Sequence, residues 1–146
     1  VDVLIANETQ AASLFDLSAL PSEDDADYST CVAKQLHELF LPKTVALTRR
    51  RTFSAVETSF EAILYDGTQT AHSPCYRLQF VDRVGSGDAF SAGLIYALQK
   101  QYSLQDAVSF AAAACAMKHS VPGDVLYATV SEVKAIAEGE STQIQR

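Results

Sequence analysis

Residues 81–90 read Val-Asp-Arg-Val-Gly-Ser-Gly-Asp-Ala-Phe, and this stretch limits the fold more than any other part of the chain. It follows an apolar, strand-like run containing Leu78 and Phe80, and it opens a helix carrying Ala89, Phe90, Gly93, Leu94, Ile95, Ala97 and Leu98. Gly85 and Gly87 flank Ser86, so the backbone can turn sharply and approach a ligand without a Cβ in the way. Amides from Gly85 to Asp88 then point outward at a helix N-terminus, where partial positive charge favours a phosphate. Asp88 sits among those donors. A carboxylate there repels a resting phosphate, so its presence asks for a reason. One reason is general-base work: Asp88 accepts a hydroxyl proton while the amides hold charge developing on a transferring phosphoryl group. The plainer alternative is a helix-start acid, stabilising the first turn by about 0.3–1 kcal/mol. The spacing is neither a Walker A loop, since no Gly-Lys-Ser/Thr follows, nor a dinucleotide fingerprint, since Phe90 takes the third glycine's place.

Around that stretch the chain alternates strand and helix signals. Residues 1–6 are nearly all apolar and read as a buried parallel strand. Asn7 stands where a helix N-cap belongs, with Gln10 three residues on, and Ala11, Ala12, Leu14, Phe15 and Leu17 supply an apolar face. The acidic run at 23–27 precedes a helix holding Val32, Leu36, Leu39 and Phe40, and reads as a solvated face. Residues 43–48 form a second strand, expected to end at Arg49, Arg50 and Arg51. Those arginines are either a charged strand exit or phosphate ligands, because ligands gather at the carboxyl ends of strands in open α/β sheets. Three short antiparallel strands follow, at 52–56, 60–65 and 68–72. Asp66-Gly67 marks the hairpin between the last two, and Ser73-Pro74 breaks the ribbon. Ser103 to Asp106 starts another helix in capping-box fashion. Residues 107–117 are almost wholly apolar and small, which predicts a helix packed on both sides, with Cys115 as a core residue. Pro122-Gly123-Asp124 is a turn, and a last helix at 131–138 stops at Gly139.

The run from Asp82 to Phe90, followed by Ala92-Gly93-Leu94, closely resembles the C-terminal signature of the ribokinase-like sugar kinases. Within that family, residues 81–84, the segment from Lys118 to Asp124 and the ending Glu132-Val133 to Gln145-Arg146 look most like 2-keto-3-deoxygluconate kinases. The resemblance implies a three-layer α/β/α fold, of which this chain is the C-terminal half: one domain over 1–146, parallel strands with an antiparallel ribbon at the edge. The N-terminal half and its sheet lid, with much of the sugar pocket, would be absent, so the chain would be an inactive fragment. It implies ATP-dependent phosphorylation of the sugar acid 2-keto-3-deoxygluconate, with Asp88 as the base and the amides of Gly85, Ser86 and Gly87 at the moving phosphoryl group. Asn7, Thr48, Arg49, Arg50, Gly85, Gly87 and His119 inherit nucleotide contacts, and Asp88 and Asp124 inherit contacts to the sugar acid. Magnesium is implied alongside ATP, with room for a monovalent cation. No metal ligand is assigned, because Gln10 stands where the family has an acid and an amide is a poor ligand for a hard cation. A homo-oligomer in the cytoplasm is implied. Two rival readings stand beside this one: a nucleotide-binding module without catalysis, which Gln10 favours, and a family kinase for another sugar such as fructose or ribose.

Composition bounds these readings. The chain has 146 residues, 48% hydrophobic and 20% charged, enough for one domain with a real core. A net charge of −7 at pH 7 argues against nucleic acid or an anionic membrane as partner. No apolar run reaches transmembrane length. Cys31, Cys75 and Cys115 are odd in number and widely spaced, which predicts reduced thiols rather than a disulfide framework or zinc site.

Overall fold

The structure is a computed structural model that describes residues 1–17, 28–54, 57–79 and 81–139. The acidic run at 23–27, Val56, Phe80 and the polar tail after Gly139 therefore lie outside the described residues.

Among the described residues, five strands and five helices run in the order β1 (Val3–Asn7), α1 (Glu8–Leu14), α2 (Tyr28–Phe40), β2 (Thr44–Thr52), β3 (Glu57–Tyr65), β4 (Thr70–His72), β5 (Tyr76–Gln79), α3 (Ser86–Gln99), α4 (Leu104–His119) and α5 (Val130–Ala137). β1 pairs with β2 in parallel, Val3 opposite Thr44 and Asn7 opposite Thr48. β2 and β3 form an antiparallel hairpin, Val45 opposite Tyr65 through Thr52 opposite Thr58. β4 and β5 follow one another along the far edge of β3. Ser73 and Pro74 separate them, where the Ser73 hydroxyl accepts the Ala62 amide at 2.9 Å.

The period of two in β2 and β3 builds the layers. Val45, Leu47, Ile63 and Tyr65 face one way and pack with Ala11, Tyr28, Val32, Ala33 and Leu36 of α1 and α2. Ala46, Phe60, Ala62 and Leu64 face the other way, into α3 and α4. Helices thus cover both faces of one sheet, the expected three-layer arrangement. α4 is buried almost all round, from Ala107 and Val108 through Phe110 to Ala116, and Cys115 is 1% exposed. Its small residues let α3 come close: a Cβ on Gly93 would lie 3.1 Å from Cα of Ala111 and 3.2 Å from Cβ of Ala114.

Local signals formed as the sequence implied. Asn7 Oδ1 accepts the Gln10 amide at 3.2 Å, Ser103 caps α4 through the Asp106 amide, and Gly139 leaves α5 with φ +76°. The hairpin tip at Gly67 has φ +93°, and Asp66 Oδ1 accepts the amides of Thr68 and Gln69.

Two expectations are corrected. The arginines at 49–51 are not a strand exit, because β2 continues through them to Thr52. They pair in register with β3, with Arg49 opposite Glu61, Arg50 opposite Phe60 and Arg51 opposite Ser59. A separate strand at 52–56 does not form among the described residues: the chain turns there, Phe53 and Ser54 donating to the Glu57 carbonyl at 3.0 and 3.2 Å.

Candidate active site

The Gly-Ser-Gly-Asp stretch is the N-terminal turn of α3. Gly85 occupies the cap position in the left-handed region (φ +77°), and no side chain caps this end. The helix therefore presents the amides of its first turn without a side-chain acceptor. One of the three expected donors is already turned inward: the Ser86 amide donates to the Arg83 carbonyl at 3.3 Å. The Ser86 hydroxyl is buried too, donating to that carbonyl at 2.9 Å and accepting from Arg50 Nη2 at 3.2 Å. Ser86 pins the loop; Gly87 and Asp88 face outward.

Asp88 is exposed and lines a cavity of about 390 Å³. Its walls include Gly85, Asp124, Tyr96, Phe110 and Val133, so the two aspartates singled out from sequence line one largely apolar cavity. They come together because residues 119–124 run beside residues 81–85. The Val81 amide donates to the His119 carbonyl at 2.7 Å, and the Gly123 amide donates to Asp82 Oδ2 at 3.0 Å. A Cβ on Gly85 would lie 1.9 Å from the Asp124 carbonyl oxygen. Only glycine permits that approach.

The arginines divide by strand alternation. Arg50 shares the α3 face of β2 with Ala46 and Thr48, its guanidinium 5.9 Å over the Phe60 ring and bonded to Ser86. Arg49 faces α1 and α2, where it pairs with Glu8 at 3.0 Å and lies 3.7 Å from Glu61. Glu8 is 2% exposed and also accepts the Ser29 hydroxyl. Arg49 thus neutralises a buried acid on the opposite face of the sheet from Ser86. Asn7, the last residue of β1, sits opposite Thr48, midway along β2, but neither contributes a wall to the Asp88 cavity.

His119, expected beside the nucleotide, is wholly buried. Its Nδ1 bonds the Cys115 carbonyl at 2.7 Å, and its Nε2 has no hydrogen-bond partner among the described residues. Burial, followed by the nearby cations Arg50, Lys118 and Arg83, holds its pKa below the usual imidazole value despite the bond to Cys115. The same burial pushes the Cys115 thiol up to about 12. Both groups belong to the packing under α3.

Sequence reasoning passed over Asp82. Its Oδ1 accepts the Val84 amide at 3.0 Å, and that bond, then the one from Gly123, holds its carboxyl below the usual carboxylate range. An acid two residues before an amide in a glycine-rich turn is a local Asx-turn signal; the Gly123 contact, 41 residues away, has no local sign. Among the described residues, no three His, Cys, Asp or Glu side chains cluster so as to hold a metal ion. No helix there is long and apolar enough to cross a membrane.

Comparison with known proteins identifies the fold and the family. Residues 1–127 match the model of the pfkB family carbohydrate kinases. Over all 146 residues the chain is 29% identical to a 2-dehydro-3-deoxygalactonokinase of Haloferax volcanii, covering 41% of that protein. Among solved structures, a 2-dehydro-3-deoxygluconokinase of Thermotoga maritima superposes with TM-score 0.89 at 33% identity, over 95% of this chain and 42% of that one. A ribokinase of Thermotoga maritima has the same fold, at TM-score 0.68 and 22% identity over 94% of this chain and 42% of its own. The chain spans about two fifths of the length of these relatives.

Proposed function

The chain belongs to the pfkB family of carbohydrate kinases, and from that premise we propose that a protein of the relatives' length transfers a phosphoryl group from ATP to a hydroxyl of 2-keto-3-deoxygluconate. The observation that carries the reading is the shared cavity: Asp88, at an uncapped helix start, and Asp124 line the same apolar walls. Asp88 takes the proton of the attacking hydroxyl, a role worth about 10²–10⁴ in rate. Outward amides of the first turn, Gly87 foremost, receive charge from the moving phosphoryl group, each such donor being worth about 10²–10³. Asp124 accepts hydrogen bonds from other hydroxyls of the sugar acid and sets its pose. Thr48 and Arg50, on the α3 face of β2, and Asn7 beside them give the nucleotide a polar edge.

The described residues do not form a magnesium cage. Asn7 Oδ1 is spent on the Gln10 amide, and no acidic cluster stands among the described residues. ATP would carry the cation on its own phosphates. By itself the 146-residue chain is expected to turn over little or no substrate, since it spans about two fifths of its relatives.

The test is a coupled assay on the full-length protein with ATP-magnesium and a panel of 2-keto-3-deoxygluconate, its galactonate epimer, fructose and ribose. Turnover of the sugar acid with a 10²–10⁴-fold fall in kcat for Asp88→Asn, and KM little changed, is the expected result. Near-normal turnover by that variant removes the base assignment, and saturable ATP binding without product would favour the non-catalytic reading.

A further inference from the structure

We propose that Asp82 is a positioning residue whose carboxylate clasps the loop before α3 to the turn at 122–124 and so fixes the separation of Asp88 from Asp124. The inference rests on the phosphoryl-transfer reading above. Among the described residues, segments 81–85 and 119–124 touch at three places: the Val81 and Asp82 amides on the His119 carbonyl, Gly123 on Asp82, and Gly85 against the Asp124 carbonyl. The first is a pair of backbone bonds and the third a packing contact. The middle one alone is made by a side chain.

That side chain has to be a carboxylate. One oxygen accepts the Val84 amide and the other the Gly123 amide, each at 3.0 Å. Asparagine offers a single acceptor oxygen, so it can serve only one of the two amides, and its NH₂ would face the other donor. Bonds from a charged acceptor are also roughly twice as strong as neutral ones. The two amides lie three residues before Gly87 and one residue before Asp124. A shift at either end therefore moves a reacting group relative to its substrate contact. Misplacement by about 1 Å can cost about 10²-fold in rate.

The experiment uses the full-length protein, with Asp82→Ala, Asp82→Asn, Asp124→Ala and the double variant Asp82→Ala/Asp124→Ala, read by kcat/KM for the sugar acid and by hydrogen exchange at the Gly123 amide. Asp82→Ala should lower kcat/KM about 10–100-fold, Asp82→Asn should fall between it and the parent, and Gly123 should lose protection in both. Because Asp82 fixes Asp124 relative to Asp88, the double variant should lose less than the product of the two single losses, a non-additive cycle. Multiplicative losses, or Gly123 exchange that Asp82→Ala leaves unchanged, overturn the clasp. If Asp82→Ala does not fold, Asp82→Asn carries both readouts. A parent protein that phosphorylates no sugar acid refutes the proposed function instead, and the exchange measurement then decides the clasp by itself.

Discussion

Gly85→Ala perturbs the closest approach in the site. A Cβ there would lie 1.9 Å from the Asp124 carbonyl oxygen, 2.7 Å from its carbon and 3.1 Å from its Cα. Real Cβ contacts essentially never fall below 3.0 Å, so the two backbones must part by about 1.1 Å. Neither partner is the far end of a flexible side chain that could swing away. The residue also sits at φ +77°, where an L side chain costs about 1–2 kcal/mol. Overpacking of a close contact adds about 1–3 kcal/mol. A loss of about 2–5 kcal/mol follows, seen as a fall of about 5–15 °C in Tm. Under the proposed function, in which this turn receives the phosphoryl group and Asp124 the sugar acid, kcat/KM for the sugar acid should fall about 10²-fold as well. Gly87→Ala is the stability control: a Cβ at Gly87 meets nothing within 4 Å, so its Tm should hold or rise slightly, alanine being the better helix former. Thermal melts and steady-state kinetics on the three proteins decide the matter. A Gly85→Ala protein that melts with the parent and keeps its kcat/KM would show that the two segments are not packed as described.

Two further outcomes test the burial pattern. Arg49→Met leaves Glu8, 2% exposed, without its cation; removing one partner of a buried pair costs about 3–5 kcal/mol. Denaturant unfolding should register that loss, while KM for ATP stays within about twofold once the protein is folded; a tenfold rise in KM without destabilisation would return Arg49 to the nucleotide. His119 titrates below its usual value because it is buried. The unfolded chain therefore binds its proton first. Stability should be full above pH 6.5, the ordinary imidazole value, and decline as pH falls below it, by up to about 1.4 kcal/mol per unit. His119→Asn should flatten the dependence of Tm between pH 7.5 and 5.5, and an unchanged slope in that variant would refute the assignment.

What the chain reveals by itself is what residues within about four positions of one another decide. Asn7 and Ser103 cap their helices, Asp66-Gly67 turns its hairpin, and the two glycines around Ser86 open α3, because caps and turns are satisfied by neighbouring amides. Alternation in β2 and β3 already contained both faces of the sheet. Had the strand been carried through to Thr52, the same period would have sent Arg49 and Arg50 to opposite sides. The packed structure alone decided the rest. It placed Arg49 on Glu8, Arg50 on Ser86, His119 in the core and Asp82 on Gly123. Each of those outcomes depends on which distant segment arrives next to a charge or an imidazole. A charged group removed from water takes whichever partner the fold brings within reach, and no local pattern records that partner.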